Sequence, residues 1–324
     1  MSSKLIGTVA RGLCAPAFQP GDDLADIVAR TVLAAASQEG IILHSSDTIG
    51  VAAPMVARSL KNYVTVDQLA ALVREKYGEN ATLGVLWPTY STSTFAALLK
   101  GLARGARKLV LQLAYPSDES GRRVMSLDAL YDAGVDPFED TLSEESYLSL
   151  FSEAEEQSIN FGTEYMDFCR AIAESESCEI EFFFSNHPSQ LLKRTRNVLY
   201  CHRNRSFRLE KKLQERGVRT LLGLNELFTE PFEGSGHHPR LGLLGAVTDS
   251  FDQILLAPYN TDDFEEELRR KLKKATGLEL KTLVFPQKGQ EDFSDRDAAP
   301  LCSMVADSMS ASCPLVLLQG YRPQ

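Results

Sequence analysis

The chain has 324 residues, 44% of them hydrophobic and 24% charged, with 34 basic against 44 acidic side chains and a formal net charge of −10. That length lies beyond the roughly 250–300 residues at which one hydrophobic core stops growing, so two subdomains sharing an interface are expected. The negative balance excludes non-specific attraction to nucleic acid or anionic lipid as the main activity, and with no run of about 18 apolar residues and no secretory leader a cytoplasmic protein is expected.

In chain order, "KLIGTVA" predicts a strand and "PGDDLADIVARTVLAAASQEG" a helix with Asp22 or Asp23 at its N-cap and Gly40 closing it. "TIGVAAPMVARS" reads as a second strand-like run, and "TVDQLAALVREKYG" as a helix opened by Thr65 and closed by Gly78. "TLGVLWP" follows as strand, "STSTFAALLKGLARGA" as helix and "KLVLQLAYP" as strand. From Ser126 to Arg170 the composition turns acidic and helical without a strand signal, which reads as a solvated helical excursion rather than an acidic binding surface. The alternation resumes with "EIEFFFSN", "NVLYCHR", the helix "SFRLEKKLQERG" and "VRTLLGL". After a Gly/Pro-rich loop come "QILLAPYN", the helix "DDFEEELRRKLKKATG", "LELKTLVFP", and a final helix and strand ending in "PLVLLQG". The rhythm predicts an α/β (or α+β) fold with mixed sheets and flanking helices: an N-terminal part over 1–125, the acidic excursion over 126–178 and a C-terminal part over 179–324.

Six cysteines, Cys14, Cys169, Cys178, Cys201, Cys302 and Cys313, are scattered without a CxxC pair, which predicts buried free thiols rather than disulfides or zinc ligands. The P-loop, the G-x-G-x-x-G fingerprint and the G-x-S-x-G elbow are all missing. Four stretches remain as candidates. "RGLCAPAFQPGDDL" leads from a strand through a turn into a helix N-terminus, which could offer backbone N–H groups to an anion or be an ordinary capped helix. In "AYPSDESGRRV", Asp118 and Glu119 end a predicted strand, where hard oxygen ligands suit Mg2+ or Mn2+; a plain polar turn is the alternative. "VLYCHRNRSFR" places Arg203, Arg205 and Arg208 at a strand-to-helix junction, able to clamp a phosphate or carboxylate or to pair with the acidic segment. In "FEGSGHHPRLGLLG", His237 and His238 are adjacent and point to opposite sides of an extended chain, so they do not share one metal, while Gly234, Gly236, Gly242 and Gly245 allow sharp turns and close approach to a ligand.

In this order the four stretches, with "VARSLKNYVTVDQLA" and "LLKGLARGARKLVLQLA" between them, resemble the coenzyme F420-0:γ-glutamyl ligase family, particularly its longer bacterial branch, from Thr8 to Gly277. The resemblance implies an α/β fold of two subdomains in an intertwined homodimer, with a groove for GTP or ATP and Mg2+ or Mn2+. It implies a small-molecule carboxylate and an amino acid as substrates, and no nucleic acid or membrane partner. Family enzymes activate the carboxylate as an acyl phosphate, which the amine of glutamate attacks to form an amide; such a transition state demands cationic neutralisation and an amine held in line. Matched residue by residue, a nucleotide-contacting turn falls on Arg11, Gly12, Leu13 and Pro16, an arginine on Arg205, the glycine-rich loop on Gly234 and Gly236, and a metal-ligating aspartate on Asp118 with Ser120 matching a neighbouring serine. The residues' own chemistry adds Asn204, Arg208 and His237 to the nucleotide contacts and Glu119 to the metal ligands. No catalytic acid or base is implied.

The chain departs from the family pattern at Cys201, where a metal-binding aspartate is usual, at Ala53, where an acid is usual, and at Leu60–Lys61 and "STSTF", which replace Glu-Gly or Gln-Gly and a more basic run. Cysteine is a poor ligand for a hard cation. Two readings follow: a divergent nucleotide- and metal-dependent amide ligase, or a non-catalytic ligand- or partner-binding homologue that has lost the metal site. A third is thiol chemistry at Cys201, its pKa lowered by His202 and the arginines.

Overall fold

In chain order the first half of the protein forms β1 (Val9–Leu13), α1 (Leu24–Gln38), β2 (Thr48–Ala52), α2 (Ala53–Ser59), β3 (Tyr63–Thr65), α3 (Val66–Tyr77), β4 (Thr82–Leu86), α4 (Thr92–Gly105), β5 (Lys108–Leu113), α5 (Leu127–Asp132), β6 (Thr141–Ser143) and α6 (Glu144–Phe151). The second half forms α7 (Gln157–Ser175), β7 (Glu179–Ser185), β8 (Asn197–Tyr200), α8 (Phe207–Glu215), β9 (Thr220–Gly223), β10 (Val247–Ser250), β11 (Gln253–Leu255), α9 (Asp262–Thr276), β12 (Lys281–Phe285) and β13 (Leu315–Gln319). This computed structural model describes residues 7–151, 157–201, 207–285 and 314–320. The expected last helix lies outside them. No helix among the described residues is long and apolar enough to cross a membrane.

Local chemistry explains where most helices begin and end. Asp23 caps α1, its Oδ1 accepting from Asp26 N at 2.9 Å. Thr65 and Gln68 form a reciprocal capping box on α3, and Gly78 follows its last residue. Three acids in the first turn of α9 and two lysines in its last complement the helix dipole, and Gly277 closes it at φ 72°. Two expectations are corrected. The run "TIGVAAPMVARS" is strand only to Ala52; α2 starts at Ala53, with Pro54 in the first turn, where its fixed φ suits a helix start. The acidic excursion contains a strand, β6, whose three residues pair antiparallel with β7.

The described chain divides into two compact units. The first joins both ends of the sequence, Met1–Tyr63 with Leu256–Gln324. Its sheet runs β1-β13-β2-β12, antiparallel except for β2 beside β12. Val28 and Val32 of α1 and Leu268 and Leu272 of α9 pack with Ile49, Val51, Leu315 and Leu317 into its main core.

The second unit, Val64–Leu255, holds a six-stranded sheet in the order β6-β7-β5-β4-β8-β9, parallel except for edge strand β6, and the small sheet β10-β11-β3. From β4 the chain steps through α4 to β5 on one side. It later returns from β7, past β5 and β4, to β8 on the other side, so the strand order reverses at β4. By the right-handed rule for parallel crossovers, this strand order sets α4 on one face of the sheet and the 3-10 segment Pro188–Lys193 with α8 on the other. The second face is filled by Leu191 and Leu213 packing against Leu86, Val110, Phe183, Val198 and Tyr200. Gly84 makes room for that segment: a Cβ there would stand 2.8 Å from Leu191 Cδ2 and Thr195 Cγ2. Gly84→Ala should therefore lower the unfolding free energy by about 1–3 kcal/mol in urea denaturation. Unchanged stability would contradict this packing.

Candidate functional site

Open parallel sheets bind ligands outside the carboxyl ends of their strands, where strand order reverses. In the second unit that edge is made by the residues after β4, β5 and β8. After β5 the chain passes a cis Tyr115–Pro116 bond into a turn closed by a bridge between Ser117 and Arg123, with Gly121 at φ 81°. Asp118, 7% exposed, accepts five donors. Its Oδ1 takes Ser120 N at 2.9 Å, Ser120 Oγ at 2.7 Å and Arg122 N at 3.0 Å. Its Oδ2 takes Tyr90 N at 2.8 Å and Thr89 Oγ1 at 3.3 Å. The carboxylate thus fastens the turn after β5 to the turn after β4. A carboxylate offers about four lone-pair sites, so these donors occupy it fully. Glu119 beside it is exposed. Among the described residues no group of three or more His, Cys, Asp or Glu is arranged to hold a metal ion.

Sequence reading missed Trp87, Thr89, Tyr90 and Asn186. Trp87, the single tryptophan, follows β4 at φ 52°, and its indole N–H donates to Ser185 O at 2.9 Å. Gln112 Nε2 reaches the same carbonyl at 2.8 Å and His187 O at 3.0 Å, while its buried Oε1 has no partner among the described residues. Asn186 clamps Tyr115, accepting from its N–H at 3.2 Å and donating to its carbonyl at 2.5 Å. The usable signal was position, since all four lie just past strands of an α/β alternation.

Cys201 follows β8 and donates its backbone N–H to Leu86 O at 3.0 Å. Burial pushes its thiol far above the ordinary range, and the Glu119 carboxylate raises it further. This corrects the expectation of a lowered, reactive thiol. None of the four described cysteines forms a disulfide; Cys169, Cys178 and Cys201 are buried as expected, whereas Cys14 is exposed, which corrects the expectation there. His202, Arg203, Asn204 and Arg205 lie outside the described residues. Arg208, expected beside a nucleotide, lines a groove between α8 and the 3-10 segment.

The Gly-rich loop folds on itself. Gly234, Gly242 and Gly245 have φ of 77°, 50° and 76°, and a Cβ on Gly242 would stand 2.2 Å from Leu227 O, which only glycine permits. Gly236 has no such φ; its carbonyl accepts from Ser235 Oγ at 2.7 Å. His238 is buried, and its Nδ1 accepts from Arg240 N at 3.2 Å and Leu241 N at 3.0 Å, so the neutral imidazole carries its proton on Nε2. Half-buried His237 precedes it.

The remaining sequence-derived residues belong to the first unit. Arg11, Gly12 and Leu13 lie on β1, paired with β13, and Pro16 lies in the connection to α1. Arg11 Nη1 donates to Gln319 Oε1 at 2.7 Å, and Gln319 Nε2 donates at 2.8 Å to Asp47, which is 1% exposed.

His238 gives a pH prediction. Burial, then the charge of Arg240, holds its pKa below the ordinary value. Its stabilising contribution is therefore complete above about pH 6.5 and is lost as pH falls through the lowered folded value. Wild type should lose more stability between pH 7.5 and 5 in urea titrations than His238→Asn, which keeps an acceptor that does not titrate there. Equal slopes would contradict the turn-capping role.

No curated protein and no solved structure matches the chain. A family model, F420-0:Gamma-glutamyl ligase, matches residues 12–306. That span includes the Asp118 turn, Cys201 and the Gly-rich loop, and it covers nearly the whole sequence: the chain belongs to the F420-0:γ-glutamyl ligase family.

Proposed function

We propose that the protein is a divergent amide ligase that uses a nucleoside triphosphate to join an amino acid to a small-molecule carboxylate, working as a homodimer. The observation that carries this reading is the convergence of the Asp118–Glu119 turn, the Trp87–Tyr90 turn and Cys201 at the carboxyl edge where strand order reverses, in a chain of this family. By resemblance together with the residues' own chemistry, nucleotide contacts are expected from Arg11, Gly12, Leu13, Pro16, Asn204, Arg205, Arg208, Gly234, Gly236 and His237.

Mg2+ or Mn2+ would neutralise phosphate charge in this reaction. Both oxygens of Asp118 are engaged by protein donors, and Cys201 is a buried neutral thiol, unsuited to a hard cation. This set fits a cation that arrives with the nucleotide's phosphates and takes Glu119 and water, rather than one caged by protein alone. Asp118 would hold the two turns that shape the site.

In the reaction, an acceptor carboxylate oxygen attacks the γ-phosphorus and the bond to the β-phosphate oxygen breaks, releasing nucleoside diphosphate. The amine nitrogen then attacks the acyl carbon, the C–N bond forms as the bond to phosphate oxygen breaks, and the amine gives up a proton. Arginine forks suit both the phosphate and the carboxylate.

Cys201 supports a second reading, a homologue that binds a ligand without turning it over. Calorimetric titration with GTP and ATP in Mn2+ tests the first: wild type should bind one of them, and Glu119→Gln should bind it about tenfold more weakly. Failure of wild type to bind either nucleotide would end the ligase reading. Nucleotide turnover gained only in Cys201→Asp would establish the second.

A further inference from the structure

The 3-10 segment Pro188–Lys193 and α8 enclose a groove of about 390 Å3 in the second unit. One wall carries Arg208, Lys212 and Arg216, the other His187 and Ser189. Helix residues four apart share a face at about 6 Å per step, so the cations form a row about 12 Å long. Arg216 is one residue past α8, yet its N–H still donates to Lys212 O at 3.2 Å, so the turn carries on. All three are exposed, and no carboxylate among the described residues pairs with them or lines the groove.

This runs against the pattern of the chain, where acids outnumber bases 44 to 34. Elsewhere Arg104 sits with Glu176 and Asp67, Arg107 with Glu179, and Arg194 with Glu181. On α8 itself Lys211 reaches Glu215 at 3.9 Å. Like charges at i and i+4 weaken a helix, and Arg208 stands in the first turn, where the helix dipole favours an anion. A ligand with matching negative charges relieves both effects.

We propose that this groove binds a short, extended acidic peptide segment with carboxylates at every second residue. Alternate side chains of an extended chain share a face and repeat at about 6.6–6.8 Å, close to the step of the cation row. Arginine forks take carboxylates bidentately. Three cations match a short segment, whereas a long polyanion such as nucleic acid meets the repulsion of a protein of net charge −10. The groove also abuts the carboxyl edge: Asn186, in its lining, clamps Tyr115, three residues before Asp118. This binding activity goes beyond the ligase reading; the two share Arg208, and Lys212 and Arg216, which the ligase reading does not use, tell them apart.

The test is fluorescence anisotropy of a fluorescein-labelled Glu-Ala-Glu-Ala-Glu peptide titrated with the full chain at low salt. Saturable binding is expected, weakened about tenfold by Lys212→Glu with Arg216→Glu and also by the milder Lys212→Gln with Arg216→Gln. Lys211→Glu should leave it in place, and a Gln-Ala-Gln-Ala-Gln peptide should not bind. Circular dichroism and melting curves establish that each variant is folded. Absence of saturable binding by wild type, or equal binding by the folded double variants, overturns the proposal. So does tighter binding of an oligothymidylate that is lost in the same variants.

Discussion

The Asp118 carboxylate is the constraint on which the carboxyl edge of the second unit depends. It lies between the turns after β4 and β5 and ties one to the other; the β5 turn is closed on itself by the Ser117–Arg123 bridge, but that bridge does not reach the β4 turn. Burying a carboxylate is costly unless its lone pairs are filled, and here four of its five donors lie between 2.7 and 3.0 Å. The bonds work in both directions, because Tyr90 N, Ser120 N and Arg122 N are also supplied with an acceptor. Arg122 Nη1 returns a bond to Tyr90 O at 3.3 Å, and the Tyr90 ring packs edge-on against Tyr165. One side chain thereby fixes loop geometry that the sheet alone leaves open.

That arrangement shapes the chemistry available around it. A carboxylate with filled lone pairs organises a site more readily than it ligates a cation, and the neighbouring Cys201 is kept neutral by burial and by Glu119. The chain belongs to the F420-0:γ-glutamyl ligase family, and in the proposed reaction these two residues would shape the site rather than cage a hard cation. Trp87 at positive φ, tied to Ser185, shows that strain is stored at the same edge. The cationic row on α8 adds a separate recognition feature beside it.

Much of the fold was legible in the sequence because its signals are local. Asp23, Thr65 with Gln68, and Gly78 mark helix ends by side-chain and backbone chemistry within a turn, and the apolar runs of β4, β5, β7 and β8 reveal buried parallel strands. The start of α2 was missed because "AAPMVA" continues the apolar run of β2; Pro54 was the available signal. β6 was missed because three residues carry no periodicity and owe their form to β7. The union of both chain ends in one sheet rests on β13 pairing with β1 and β2 across the whole sequence, which no local pattern encodes. At the site, position after a strand identified Asp118, but its service to Tyr90 and Thr89 arises from the adjacency of β4 and β5. His238 had a legible setting among glycines, whereas its use as an acceptor for its own turn is a property of the folded loop.

The central claim is that Asp118 holds the β4 and β5 turns together, and the single tryptophan, Trp87, reports directly on that edge. The decisive measurement is tryptophan emission of Asp118→Ala followed through urea unfolding. The account predicts a red-shifted native emission, as the β4 turn loosens around Trp87, and a loss of about 2–4 kcal/mol in unfolding free energy. Native emission and stability both equal to wild type would contradict it.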